Sequence, residues 1–246
     1  MQRSVLALAA ALALGLAACG GDEGAGGEGG TSPTVYAAAS LTEIFPAIDP
    51  GATYSFAGSD ELATQIREGA PADVYAAASS KYPQELFEEG IVEEPVTFAS
   101  NRLVLIVPKD NPAGIEEVAD VAAPGVRLVI AAEGVPAGDY TRTVFEDLGL
   151  AAALDNVVSN EDDVKGVVGK IALGEGDAGF VYATDAAVAG DDVTVIELPE
   201  GSQPPIEYQL AVVTASEDKD GARAFVDLVL GDAGREQLEA AGFVVP

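Results

Sequence analysis

From residue 34 onward, short apolar runs alternate with longer stretches in which apolar residues recur at helical spacing. The runs predict strands over 34–39, 53–56, 73–77, 102–107, 127–131, 178–182, 193–198 and 208–214. The stretches between and after them predict helices over 41–48, 60–68, 82–89, 115–121, 139–148, 162–173, 219–230 and 232–241. Such a β-α order predicts an α/β fold of parallel sheets flanked by helices, with ligands gathering where strands end and helices begin. The strands over 102–107 and 208–214 follow polar or proline-bearing stretches, Glu93–Glu94–Pro95 and Gln203–Pro204–Pro205. They are candidates for crossings between two lobes. No internal repeat is evident.

Two strand-to-helix junctions carry a serine, in Ala37–Ala38–Ala39–Ser40–Leu41–Thr42–Glu43 and in Phe56–Ala57–Gly58–Ser59–Asp60–Glu61. A helix N-terminus leaves backbone N–H groups unpaired and carries partial positive charge, so a hydroxyl there completes an anion site. The same residues also suit plain capping, Ser40 with Glu43 as a capping box and Ser59 as an N-cap. From these segments alone both readings stand.

The beginning of the chain changes the setting. Arg3, an apolar run over 5–18 and small residues before Cys19 predict a secretory signal peptide over 1–18. Leu16–Ala17–Ala18–Cys19 resembles the bacterial lipoprotein box, in which the cysteine is lipidated and becomes the mature N-terminus. Residues 20–33, rich in Gly, Glu, Ser and Thr, predict a disordered tether. Cys19 is the single cysteine, so the exported part has neither a disulfide nor a thiol nucleophile.

Charge and residue types exclude several functions. A formal net charge of −29, from 12 Lys+Arg against 41 Asp+Glu, makes nucleic acid and anionic membrane surfaces poor partners. That field also opposes an anionic ligand, but screening confines it to about 8 Å at physiological salt, within which local donors prevail. Histidine is absent, which removes His-containing triads and the usual zinc and copper ligands. With no Gly-x-Ser-x-Gly, a carboxylate pair is the main remaining general acid/base set, and nothing singles one out. Glu161–Asp162–Asp163 and Asp191–Asp192 lack the glycine-turned loop of a hard-cation site and read as solvated acidic faces.

Over 34–246 the chain resembles the periplasmic molybdate-binding proteins, the substrate-capturing components of ABC importers. The resemblance is densest over 54–78, in Ser55–Phe56–Ala57–Gly58–Ser59 and in Leu62–Ala63–Thr64–Gln65–Ile66–Arg67–Glu68–Gly69–Ala70–Pro71–Ala72–Asp73–Val74. It continues in Val135–Pro136–Ala137–Gly138, in Ala178–Gly179–Phe180–Val181–Tyr182–Ala183–Thr184–Asp185 and in Gly242–Phe243. The resemblance implies a two-lobe periplasmic-binding-protein fold of type II with the ligand in the interlobe cleft. One lobe would comprise 34–104 plus 209–246, the other 105–208.

The resemblance also implies a ligand set: the hydroxyls of Ser40, Ser59 and Tyr182 and the backbone N–H groups of Ala137 and Val164. These would hold molybdate or tungstate by neutral donors, the molybdenum entering only within the oxyanion and no cofactor being required. On its own, Tyr182 in an apolar strand reads as a core aromatic. The implied protein is not an enzyme. It would be a monomer, lipid-anchored through Cys19 outside the cytoplasmic membrane, delivering its ligand to a permease.

Other readings are a same-fold binder of sulfate or thiosulfate and, further off, a carboxylate-based secreted hydrolase. Ferric iron would call for adjacent tyrosines, which are missing. In one place the chain departs from the family pattern: Asp60–Glu61 follows the second serine where Ser-Thr is frequent. Acidic residues suit a helix's first turn, and both are expected to face solvent.

Overall fold

The computed structural model describes residues 32–246, so the leader, Cys19 and most of the stretch read as a tether lie outside the described residues. The first part of the chain runs β1 (Thr34–Ala38), α1 (Ile44–Ile48), β2 (Thr53–Ala57), α2 (Ser59–Arg67), β3 (Val74–Ala77), α3 (Lys81–Glu88) and β4 (Val96–Asn101). There follow β5 (Leu103–Pro108), β6 (Leu128–Ala131), α4 (Pro136–Asp147), β7 (Val157–Glu161), α5 (Val164–Ala172), β8 (Ala178–Tyr182) and α6 (Ala183–Ala189). The last elements are β9 (Val193–Ile196), β10 (Ile206–Val212), α7 (Lys219–Leu230) and α8 (Asp232–Ala240).

The strands form two five-stranded sheets, ordered β2-β1-β3-β10-β4 and β7-β6-β8-β5-β9. In each, three strands are parallel and a fourth runs antiparallel between them and an edge strand. The sheets are therefore mixed, not purely parallel as the β-α alternation predicts. The reason lies in the crossings. β1 to β3 and β6 to β8 run toward the junction of the two halves, whereas β5 and β10 enter their sheets from that junction and must run away from it. β5 begins at Leu103 and β10 at Ile206, each two or three residues before the lobe boundaries read from the sequence. Gln203 ties the two crossings together: its Oε1 accepts from the Leu103 N–H at 2.6 Å and its Nε2 donates to the Leu103 carbonyl at 3.2 Å.

Smaller departures have local causes. The helix expected over 115–121 is a 3₁₀ turn, Val118–Ala122, capped reciprocally by Glu117 and Asp120. The helix expected over 41–48 is divided into a 3₁₀ turn, Ala39–Leu41, and the short α1. β4 and β7 escape the apolar-run reading because polar residues, Thr97, Ser100 and Asn101 in the first and Ser159–Asn160–Glu161 in the second, make up half or more of each.

A hydrophobic core continues through both halves and includes Tyr208 of β10, which is fully buried. Its ring meets those of Tyr182, Phe98 and Phe243 at centroid distances of 5.6, 6.0 and 5.4 Å. Edge-on contacts of this kind fix ring orientation as well as burying area. Helix placement at the junction depends on one close approach. A Cβ on Gly138, in the first turn of α4, would lie 2.1 Å from the Ala132 carbonyl oxygen and 2.4 Å from that of Ala131. Only glycine lets α4 start this close to the end of β6.

Candidate functional site

Because β1, β2, β6, β7 and β8 all run toward the junction, the turns that follow them meet there. They line one small, partly open cavity of about 10 Å³. An occupant of that space is a compact group of few atoms, not an extended organic solute. Its lining brings together Ser40, Ser59, Ala137, Val164 and Tyr182, each at most 7% exposed. The lining holds no lysine or arginine, and its one carboxylate, Asp163, is the N-cap of α5 and accepts from the Gly166 N–H at 2.9 Å.

Three helices of eight residues or more, α2, α4 and α5, present their N-termini to this cavity. Ser59 and Val164 are the first residues of their helices, and Ala137 follows Pro136 at the start of α4. N–H groups in a first turn have no partner within the helix. Proline at the first position of α4 has no such group, so Ala137 supplies the first one there.

The capping alternative for the two serines is not what the fold contains. Ser40 lies inside the 3₁₀ turn, α1 begins after Glu43, and no side chain caps it. Ser59 is the first helical residue of α2, with Gly58 at the cap position and no side-chain cap bond. Both hydroxyls are instead engaged from behind. Ser59 Oγ accepts from the Ala78 N–H at 3.1 Å, an arrangement that leaves its own proton to be donated. Ser40 Oγ lies 2.9 Å from Tyr208 Oη. Burial, with the Asp185 charge adding, holds the Tyr208 phenol far above its ordinary pKa, so its proton can be given to Ser40 while the Ser40 proton turns to the cavity.

Tyr182 is likewise kept a neutral donor by burial, which pushes its hydroxyl well up. Its hydrogen bond to the Ala78 carbonyl is long at 3.5 Å, and Tyr208 is a second hydrogen-bonding neighbour. Sequence reading missed Tyr208 and Ala78, which aim the two serines. Tyr208 sits in an apolar strand like any core aromatic, and Ala78 acts through its main chain, so neither carried a signal.

The two halves touch beside the cavity. A Cβ on Gly58 would lie 2.6 Å from the Asp162 carbonyl oxygen in the opposite half and 2.7 Å from Asp60 Oδ1. Nearby, Tyr82 Oη donates to the Gly134 carbonyl, and Lys81 Nζ lies 3.6 Å from Asp139 Oδ2. This seam corrects the expectation for Asp60. Glu61 is exposed and accepts from Gln65 Nε2 at 2.9 Å, but Asp60 is half-buried, with Oδ1 shielded from water and unpartnered among the described residues. The first turn of α2 abuts the opposite half there. Burial raises the Asp60 pKa, its own and the Glu61 backbone N–H groups lower it, and the Asp139 charge raises it again.

Comparison with known proteins gives concordant results. A family model described as bacterial extracellular solute-binding protein matches residues 34–244. The chain is 35% identical to the molybdate-binding protein ModA of Mycobacterium tuberculosis over 97% of its own length and 96% of that protein. It is 30% identical to ModA of Escherichia coli, with 100% of both chains covered. The solved periplasmic molybdate-binding protein of Azotobacter vinelandii shares the fold, with a TM-score of 0.76 at 24% identity, over 87% of this chain and 100% of that one.

The Gly58–Asp162 approach yields a testable expectation. Gly58→Ala should leave ligand-free stability nearly unchanged, since halves that stand apart relieve the Asp162 clash and the Asp60 side chain can turn away. Closing on a ligand would then cost about 1–3 kcal/mol, weakening affinity roughly 5- to 150-fold. Calorimetric titration beside a denaturation curve measures both, and wild-type affinity in this variant would mean that the bound protein does not close at this seam.

Proposed function

The chain belongs to the bacterial extracellular solute-binding protein family, and from that premise we propose that it captures molybdate, with tungstate as an alternative ligand, for an ABC importer. The observation that carries the reading is the convergence of three helix N-termini and three hydroxyls on one small cavity lined by no cation. A tetrahedral oxyanion without protons can accept from every side, which is what a ring of donors requires. Hydrogen phosphate would set its own O–H against that ring and leave donors facing a donor. Preorganised amide and hydroxyl dipoles at low local dielectric stabilise a dianion without a counter-charge. In this reading Ser40, Ser59 and Tyr182 donate through hydroxyls and Ala137 and Val164 through backbone N–H groups. Sulfate, of equal charge, is distinguished by size, since a cavity fitted to longer metal–oxygen bonds leaves sulfate's hydrogen bonds stretched.

The two sheet-bearing halves act as lobes that close on the ion by movement at the Leu103–Gln203 crossing. Closure buries the ligand and presents one shape for a permease to read. The protein acts as a binder without catalysis, as a monomer outside the cytoplasmic membrane. Cys19, with its lipoprotein-box surroundings, anchors it there by a lipid. If so, Cys19→Ala releases soluble protein from the membrane fraction, whereas a wild-type intact mass without lipid removes the anchor from this account.

Thermal unfolding with an anion panel tests the ligand. A ligand at 100 times its dissociation constant adds about 2.7 kcal/mol of stability. Molybdate and tungstate should raise Tm and phosphate should not, while a larger shift with sulfate would favour the sulfate-binding reading. Ser59→Ala and Tyr182→Phe should each weaken molybdate binding by about 1.5–3 kcal/mol, the worth of a hydrogen bond to a charged group. Unchanged affinity in both would remove these hydroxyls from the site.

A further inference from the structure

Behind the cavity lies a charged pair that the donor set does not use. Asp185, in the first turn of α6, is 2% exposed, and its Oδ2 has no hydrogen-bond partner among the described residues. Its ion-pair partner is Lys165, whose Nζ lies 3.2 Å from Asp185 Oδ1. Burial pushes the Asp185 carboxyl up to about 6 against the pull of Lys165, with the charges of Asp163 and Glu43 also raising it. A buried ion pair of this kind is a poor source of stability, because desolvation offsets most of the attraction and apolar residues of similar volume do as well.

The placement of the pair is more informative than its energy. Lys165 directly follows Val164 in the first turn of α5, and Asp185 stands three residues after Tyr182. The pair therefore spans two separate elements: the start of α5, which bears the lining residue Val164, and the start of α6, whose cap position is the lining residue Tyr182 at the end of β8. Because the charges balance, the pair adds little net field at the site. We propose that Lys165–Asp185 is a positioning pair that fixes the distance between the Val164 N–H and the Tyr182 hydroxyl, and thereby sets the size of oxyanion that the cavity prefers. The inference rests on the oxyanion-binding reading above.

The test separates spacing from charge. Molybdate and sulfate carry the same charge, so a change in field moves both affinities by a similar factor, whereas a change in spacing moves their ratio. Affinities for both anions are measured by calorimetry in the wild type, in Lys165→Met with Asp185→Asn, and in Lys165→Arg. The double substitution removes the tether without changing net charge. It should weaken molybdate at least tenfold and narrow the molybdate-to-sulfate ratio at least fivefold, while Lys165→Arg, which keeps the pair, retains most of that ratio. If the double variant does not fold, Lys165→Met at the more exposed end is read in the same way. A wild-type ratio in the variants overturns the positioning role while leaving the oxyanion reading intact. A wild type that binds neither anion overturns that reading, and this inference with it.

Discussion

Everything at the junction follows from the obligation to satisfy polar groups removed from water. The first turns of α2, α4 and α5 leave N–H groups that no helix can pair, and the fold brings them to one small cavity. A buried donor without a partner costs about 1–3 kcal/mol. The protein concentrates several such donors in one place, where, in the proposed reading, a compact anion relieves them together. Their positions are set by ordinary strand and helix geometry: parallel strands that end at one junction and helices that begin there.

The hydroxyls depend on a layer behind them. Ala78 donates to Ser59 from the rear, which leaves the Ser59 proton to turn forward, and Tyr208 Oη holds Ser40 Oγ at 2.9 Å. Tyr208 stands among the rings of Tyr182, Phe98 and Phe243, which joins serine orientation to the packing shared by both halves. The same phenols stay protonated because burial disfavours their anions, so the lining remains a set of donors. Donor orientation and packing are thus parts of one arrangement, and the seam at Gly58 and Tyr82 lies beside it.

Much of this was legible in the chain. Alternating apolar runs located most strands, and the serines at 40 and 59 stood out because a hydroxyl at a strand-to-helix junction has chemical meaning. What one chain could not decide was whether they cap helices or face a cavity, since a cap and an anion donor use the same residue types. Ala137 and Val164 offer only main-chain groups, so they came from the resemblance and from no property of their side chains. Asp60 was misjudged as solvent-facing because the first turn of a helix is normally open to water, and the opposite half that covers it is contributed by residues more than seventy positions away. The mixed sheets were hidden for a similar reason: strand direction depends on which half a crossing strand comes from, which local periodicity does not encode.

The central claim, that main-chain donors at helix starts hold the ion, is tested most directly by following the amide protons of Ala137 and Val164 by NMR. On saturation with molybdate both should move strongly downfield, as N–H groups do when they donate to a charged acceptor, and phosphate at the same concentration should leave them in place. Saturating molybdate that shifts neither amide while it binds elsewhere would contradict the account.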